Sequence, residues 1–231
     1  MARRSGRSSL ALLVTIVTLA GAWFQGNGKL GDLWPTPAER RPSSATWEQL
    51  EGCRFLPHSG NDGDSFHAIH GGKEYIFRLY FVDAPETDDS YVERTADQAE
   101  YFGITKPEVM KLGQSAATFT RKRLEGRKFT IHTRWRDALG RSRLPRHYAF
   151  VEIGKEDLGE LLVSNGLARI YGTRVTLPDG RDSRTYLRDL DRLEAEAKRR
   201  RLGGWRSLRT GFVTESASWL LARPRHRIVA R

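Results

Sequence analysis

A single cysteine, Cys53, in a chain of 231 residues has no partner for an internal disulfide, so oxidative cross-links do not hold this fold together even if the chain is exported. Cys53 is expected to be a small buried residue of the first strand, not a catalytic thiol. There is no C-x-x-C pair and no H-E-x-x-H helix, which excludes the common zinc centres and leaves His67 and His70 as solvent-facing side chains of a strand. A dedicated EF-hand cage is absent as well. No apolar run has the full length of an ordinary membrane span, and the stretch that ends at Phe24 is short for one.

That stretch has the layout of an export signal. Arg3, Arg4 and Arg7 form a positive start, Leu10 to Leu19 an apolar segment, and Ala20-Gly21-Ala22 a small-residue cleavage pattern. Residues 1–24 are read as a signal peptide, with an uncleaved N-terminal anchor touching the membrane as the alternative. The protein is then expected outside the cytosol, secreted or periplasmic, or held at the membrane. The residues around Arg3-Arg4 do not make a twin-arginine signal. Residues 25–46, with Pro35, Pro37 and Pro42, read as a linker. One folded domain is expected over 47–206, followed by a basic tail at 207–231 to which no role is assigned.

Positive charge is plentiful. The 39 Lys and Arg exceed the 28 Asp and Glu by 11, a balance that favours a polyanionic partner such as nucleic acid. An apolar content of 39% suits one ordinary core.

The chemistry gathers in two places. D-G-D-S at Asp62 to Ser65 leads into F-R-L-Y-F-V-D-A-P-E-T at Phe77 to Thr87, and a lone G-R lies far downstream at Gly140 and Arg141. Arg78 sits in the otherwise apolar or aromatic run Tyr75 to Val82, read as a buried strand in which Ile76, Arg78, Tyr80 and Val82 share a face. A buried guanidinium must meet an anion, either a protein carboxylate or a ligand phosphate. Asp64 and Asp83 are hard oxygen donors suited to calcium or magnesium, and Glu86 follows across a proline-fixed turn, placed to orient or deprotonate a water. Arg78 and Arg141 could clamp phosphate oxygens. The inventory suits hydrolysis of a nucleic acid backbone, although from the residues alone D-G-D is also an ordinary turn and V-D-A-P-E-T a capped loop.

Strands are expected at Cys53 to Pro57, Ser65 to His70, Tyr75 to Val82, Phe129 to Arg134 and Tyr148 to Ile153, with Gly71-Gly72 as a hairpin turn. Three helices are expected. The first begins at the capping box Thr105 to Glu108, the second at Asp157, and the third spans about Ser183 to Arg201 with Glu194 and Lys198 as a pair one turn apart. The fold class is α+β, mainly β: a small closed five-stranded barrel with three helices.

These segments, together with G-Q-S-A-A-T-F-T, D-A-L-G-R, L-L-V-S-N-G-L-A-R and E-A-E-A-K-R-R-R-L-G-G-W, occur in the order seen in staphylococcal nuclease, and the chain resembles that family from about Gly52 to Trp205. The resemblance implies an OB-fold, calcium as cofactor, DNA and RNA as substrates, endonucleolytic cutting that leaves 3′-phosphate ends, and a monomer. It makes Asp64 and Asp83 calcium ligands, with Ala84 adding its backbone carbonyl and Asp62 an outer acid. Glu86 becomes the general base, and Arg78 and Arg141 contact the phosphate. Some positions depart from the family. Ala138 and Leu139 replace a lysine and a tyrosine before Arg141, and Gly172 and Arg174 replace tyrosines that pack on the nucleotide, which leaves Tyr171 as the candidate stacking residue. The segment from Asp88 to Tyr101 is read as a long acidic loop that weakens phosphate attraction. An inactive nucleic-acid-binding module at the cell envelope is the alternative reading.

Overall fold

The computed structural model describes residues 36–37, 45–140, 142 and 144–207. The segment read as an export signal, most of the segment read as a linker, Arg141 and the tail from 208 onward lie outside the described residues. The chain divides into two compact units, 1–36 and 37–231, and the second carries the fold.

Five strands close on one another: β1 (Glu48–Phe55), β2 (Ser65–His70), β3 (Lys73–Leu79), β5 (Phe129–Asp137) and β6 (Arg146–Ile153). β1 pairs antiparallel with β2 and β5, β2 with β3, and β5 with β6, and the parallel pairing of β3 with β6 completes the ring. Alternation along β5 shows why the barrel forms. Phe129, Ile131, Thr133 and Trp135 are buried while the residues between them are not. Phe66, Phe77, Ala149 and Val151 fill the same interior with no measurable exposure, each large apolar side chain contributing about 1.5–3 kcal/mol through burial. Gly52, at φ +70°, lies where the β1 and β5 register shifts between Leu50 and Cys53, the local conformation of a bulge that bends the strand around the barrel.

The first strand begins at Glu48, earlier than its apolar content suggested, because Gln49 and Glu51 face solvent while Leu50 and Cys53 face the core. Cys53 is fully buried, as expected, and burial pushes its thiol up to about 12. His67 is not solvent-facing. It is buried, stacks on His58 and pairs with Glu74 at 2.5 Å.

The apolar run around Arg78 is not one strand. β3 stops at Leu79, Phe81 takes a left-handed φ of 64°, and Val82–Asp83 form a separate β4 paired with β8 (Arg169–Ile170). Tyr80 and Val82 therefore join the core, leaving Ile76 and Arg78 on the other side of the ladder. The cause is long-range: the Phe81 amide donates to the Thr173 carbonyl at 3.1 Å and the Phe81 carbonyl accepts from the Tyr171 amide at 2.8 Å.

Among the described residues there are four α-helices, not three. The segment read as an acidic loop holds α1 (Val92–Phe102), which buries Thr95, Gln98 and Phe102 at helical spacing and turns Glu93, Asp97 and Glu100 to water. The other three lie where they were expected. α2 (Lys106–Leu124) starts at the Thr105 and Glu108 capping box, α3 (Leu158–Ser164) at the Asp157 cap and α4 (Ser183–Arg199) at the Asp182 cap. Lys198 meets Glu194 at 2.6 Å within α4. A two-residue β7 (Glu156–Asp157) and a 3-10 turn (Gly203–Ser207) lie in the same unit.

Candidate active site

The D-G-D turn closes on itself. Asp62 Oδ1 accepts from the amides of Asp64 at 3.0 Å and Ser65 at 2.7 Å, so its first task is to shape the turn that delivers Asp64. Desolvation and the adjoining Asp64 charge hold the Asp62 carboxyl well above the usual carboxylate range. Gly63 has no room for a side chain, since a Cβ would strike Ala84 and Ala116. The Asp64 carbonyl accepts from the Leu79 amide at 2.8 Å, and its Oδ2 accepts from the Ala84 amide at 3.1 Å. Asp64 thus joins the start of β2 to the end of β3 and to β4.

Register then decides which side chains meet. Ser65 lies opposite Arg78 across β2 and β3, and Arg78 Nη2 donates to Asp64 Oδ2 at 3.0 Å and Asp83 Oδ1 at 2.7 Å. The anion demanded by the buried guanidinium is a pair of carboxylates. Their charges, Asp64 foremost, keep Arg78 protonated against the desolvation that opposes it.

Asp83 is the hub. Its Oδ1 also accepts from Arg94 of α1, and its Oδ2 accepts from Arg169 Nε at 2.8 Å and from Gln98 Nε2 at 3.0 Å. Burial alone would raise its carboxyl, but Arg94, then Arg78 and Arg169, hold it below the usual range. Gln98, fully buried, donates as well to the Ala84 carbonyl at 3.1 Å and accepts from the Glu86 amide at 2.9 Å. It fixes the backbone from Asp83 to Glu86. The Glu86 carboxylate meets Arg94 Nε at 2.9 Å. Desolvation raises its pKa, Arg94 partly offsets this, and the Asp83 and Asp64 charges add to the rise.

Asp62, Asp64, Asp83, Ala84, Glu86 and Arg78 are therefore gathered by the fold. Tyr171 stands at the edge of the cluster, exposed, with the Arg169 guanidinium 4.4 Å from its ring centre. Arg141 lies outside the described residues. Its neighbouring loop is tied to the barrel by Arg146, whose Nη2 donates to the Leu139 carbonyl at 2.8 Å, and the open φ of 124° at Gly140 lets the chain pass against that guanidinium.

Arg94, Gln98 and Arg169 were not foreseen. Arg94 and Gln98 lie one helical turn apart in V-E-R-T-A-D-Q-A-E-Y-F, a stretch free of glycine and proline, and that helical signal was available. Arg169 reaches Asp83 across 86 residues, a separation at which no local pattern speaks.

Among the described residues, no group of three or more histidine, cysteine, aspartate or glutamate side chains is gathered as a metal-binding cluster. The donor chemistry nevertheless fits a hard divalent cation: the Asp64 and Asp83 carboxylates and the Ala84 carbonyl offer oxygen only, with neither thiolate nor imidazole beside them.

A closed five-stranded barrel that holds carboxylates and arginines where β3 gives way to β4 defines an OB-fold domain of the nuclease-like, nucleic-acid-binding class. The family model described as staphylococcal nuclease homologue matches residues 76–207, more than half of the chain, and the protein belongs to that family. The match begins inside β3, so Asp62 and Asp64 precede it and reach the site through the barrel pairing. No curated protein matches the chain.

Proposed function

We propose that this protein is an exported, calcium-dependent nuclease that hydrolyses phosphodiester bonds of DNA and RNA endonucleolytically and leaves 3′-phosphate ends. The observation that carries the reading is the convergence of Asp64 and Asp83 on Arg78, with Glu86 held beside Asp83 by Arg94. A module that only binds a polyanion has little use for several carboxylates beside its phosphate contacts, because they repel the ligand.

Asp64, Asp83 and the Ala84 carbonyl are the groups that would hold calcium, which when bound supplies positive charge to a phosphate. Glu86 accepts the proton of the attacking water, and its raised pKa suits a base that must gain a proton as the new bond to phosphorus forms. Arg78 and Arg141 donate to the phosphate oxygens, more strongly as charge accumulates in the transition state. The bond from phosphorus to the 5′ oxygen breaks, and the phosphate stays on the 3′ side. Tyr171 offers an exposed ring on which a base can stack.

The test is cleavage of labelled single-stranded DNA by the full-length protein with calcium, with chelator, and with Glu86→Gln. Calcium-dependent cutting that falls by about a hundredfold or more in the variant is expected. Binding without cutting under every condition favours the inactive binding module instead.

A further inference from the structure

Asp83 is approached by three guanidinium groups, and they are not equivalent. Arg78 is nearly buried within the barrel wall and bridges Asp64 and Asp83. Arg169 is buried too, its Nε on Asp83 Oδ2 at 2.8 Å. Arg94 is different: its side chain is 33% exposed, it reaches the site from a helix outside the barrel, and it bridges Asp83 and Glu86. Four residues later on the same helix, Gln98 is fully buried and holds Asp83, the Ala84 carbonyl and the Glu86 amide. The anchor of α1 is thus separate from its cation. Arg94 can leave the carboxylates for solvent while Gln98 keeps the helix docked.

We infer that Arg94 is a tethered counter-cation that competes with a divalent metal ion for the Asp83 carboxylate, so that metal loading requires its guanidinium to withdraw. The inference rests on the calcium-dependent reading above and adds to it a residue of the helical segment that sets the affinity of the site. The competition is electrostatic. A guanidinium in contact with the Asp83 carboxylate satisfies its charge, and a divalent cation brought to the same oxygens must either repel it at a few ångströms or displace it. An arginine placed this way makes the metal-free protein stable and raises the metal concentration at which the site fills.

The test is calorimetric titration of calcium chloride into the full-length protein without nucleic acid, for the wild type, Arg94→Gln and Arg94→Lys. Arg94→Gln is expected to bind calcium at least about tenfold more tightly than the wild type, and Arg94→Lys, which keeps the charge, to stay closer to it. Thermal melting gives a second readout that a merely structural arginine would not move: calcium should raise the Tm of Arg94→Gln by more than it raises that of the wild type. Equal or weaker calcium binding by Arg94→Gln overturns the competition while leaving the calcium reading intact. Calcium binding seen only in Arg94→Gln upholds it. Failure of all three proteins to bind calcium overturns both.

Discussion

At the residue scale, Gln98 fixes the backbone of the site, because one amide satisfies the Asp83 carboxylate, the Ala84 carbonyl and the Glu86 amide. Its removal cannot be compensated by water, since the side chain is fully buried. Gln98→Leu is expected to cost about 2–4 kcal/mol, the penalty for leaving the Ala84 carbonyl and the Glu86 amide unpaired in the interior. Guanidinium chloride unfolding checks this, and a midpoint within error of the wild type would contradict the role. Asp62 shows the opposite case. Its oxygen is consumed by the turn that positions Asp64, so its contribution as an outer acid is indirect.

At the element scale, α2 works as a wall against which both acidic loops are pressed. A Cβ on Gly113 would collide with the carbonyls of Pro85 and Glu86, and Thr120 Oγ1 donates to the Gly63 carbonyl at 2.7 Å. The helix thus contacts the turn bearing Glu86 and the turn bearing Asp64 at once. Gly113→Ala is expected to destabilise the fold by about 1–3 kcal/mol through overpacking. It should also lower turnover by on the order of ten- to a hundredfold, because Glu86 is pushed from its position. Urea midpoints and initial cleavage rates measure the two effects separately, and unchanged turnover would show that Glu86 tolerates the shift. α1 presents a second lesson. Its acidic residues form its wet face, while its single arginine turns toward the site.

At the scale of the whole molecule, the chain carries a net charge of +11, whereas the site itself is rich in carboxylates. On the proposed function, long-range attraction brings a polyanion near and Arg78 and Arg141 make the close contacts. Binding of single-stranded DNA by Glu86→Gln in chelator is expected to weaken linearly as the logarithm of salt concentration rises, with a slope of about −0.7 for each phosphate engaged. Fluorescence anisotropy across a salt series gives the slope. A flat dependence would mean that the basic charge is not part of recognition.

The sequence by itself determined whatever depends on near neighbours. Strand period built the β5 face, the Thr105 and Glu108 box and the Asp157 and Asp182 caps placed three helix starts, and the D-G-D turn presented Asp64 as its spacing implied. The demand of Arg78 for an anion was legible too, since a guanidinium in an apolar run has no other affordable state. Only the tertiary structure decided which anion answered, that the chain breaks at Phe81 so that β4 can reach β8, and that Arg94 and Arg169 converge on one carboxylate. The reason is physical. Those pairings are selected by closure of the barrel and docking of α1 against it, between residues whose separation along the chain leaves no trace in local pattern, whereas caps, turns and strand alternation are settled within a few residues of one another.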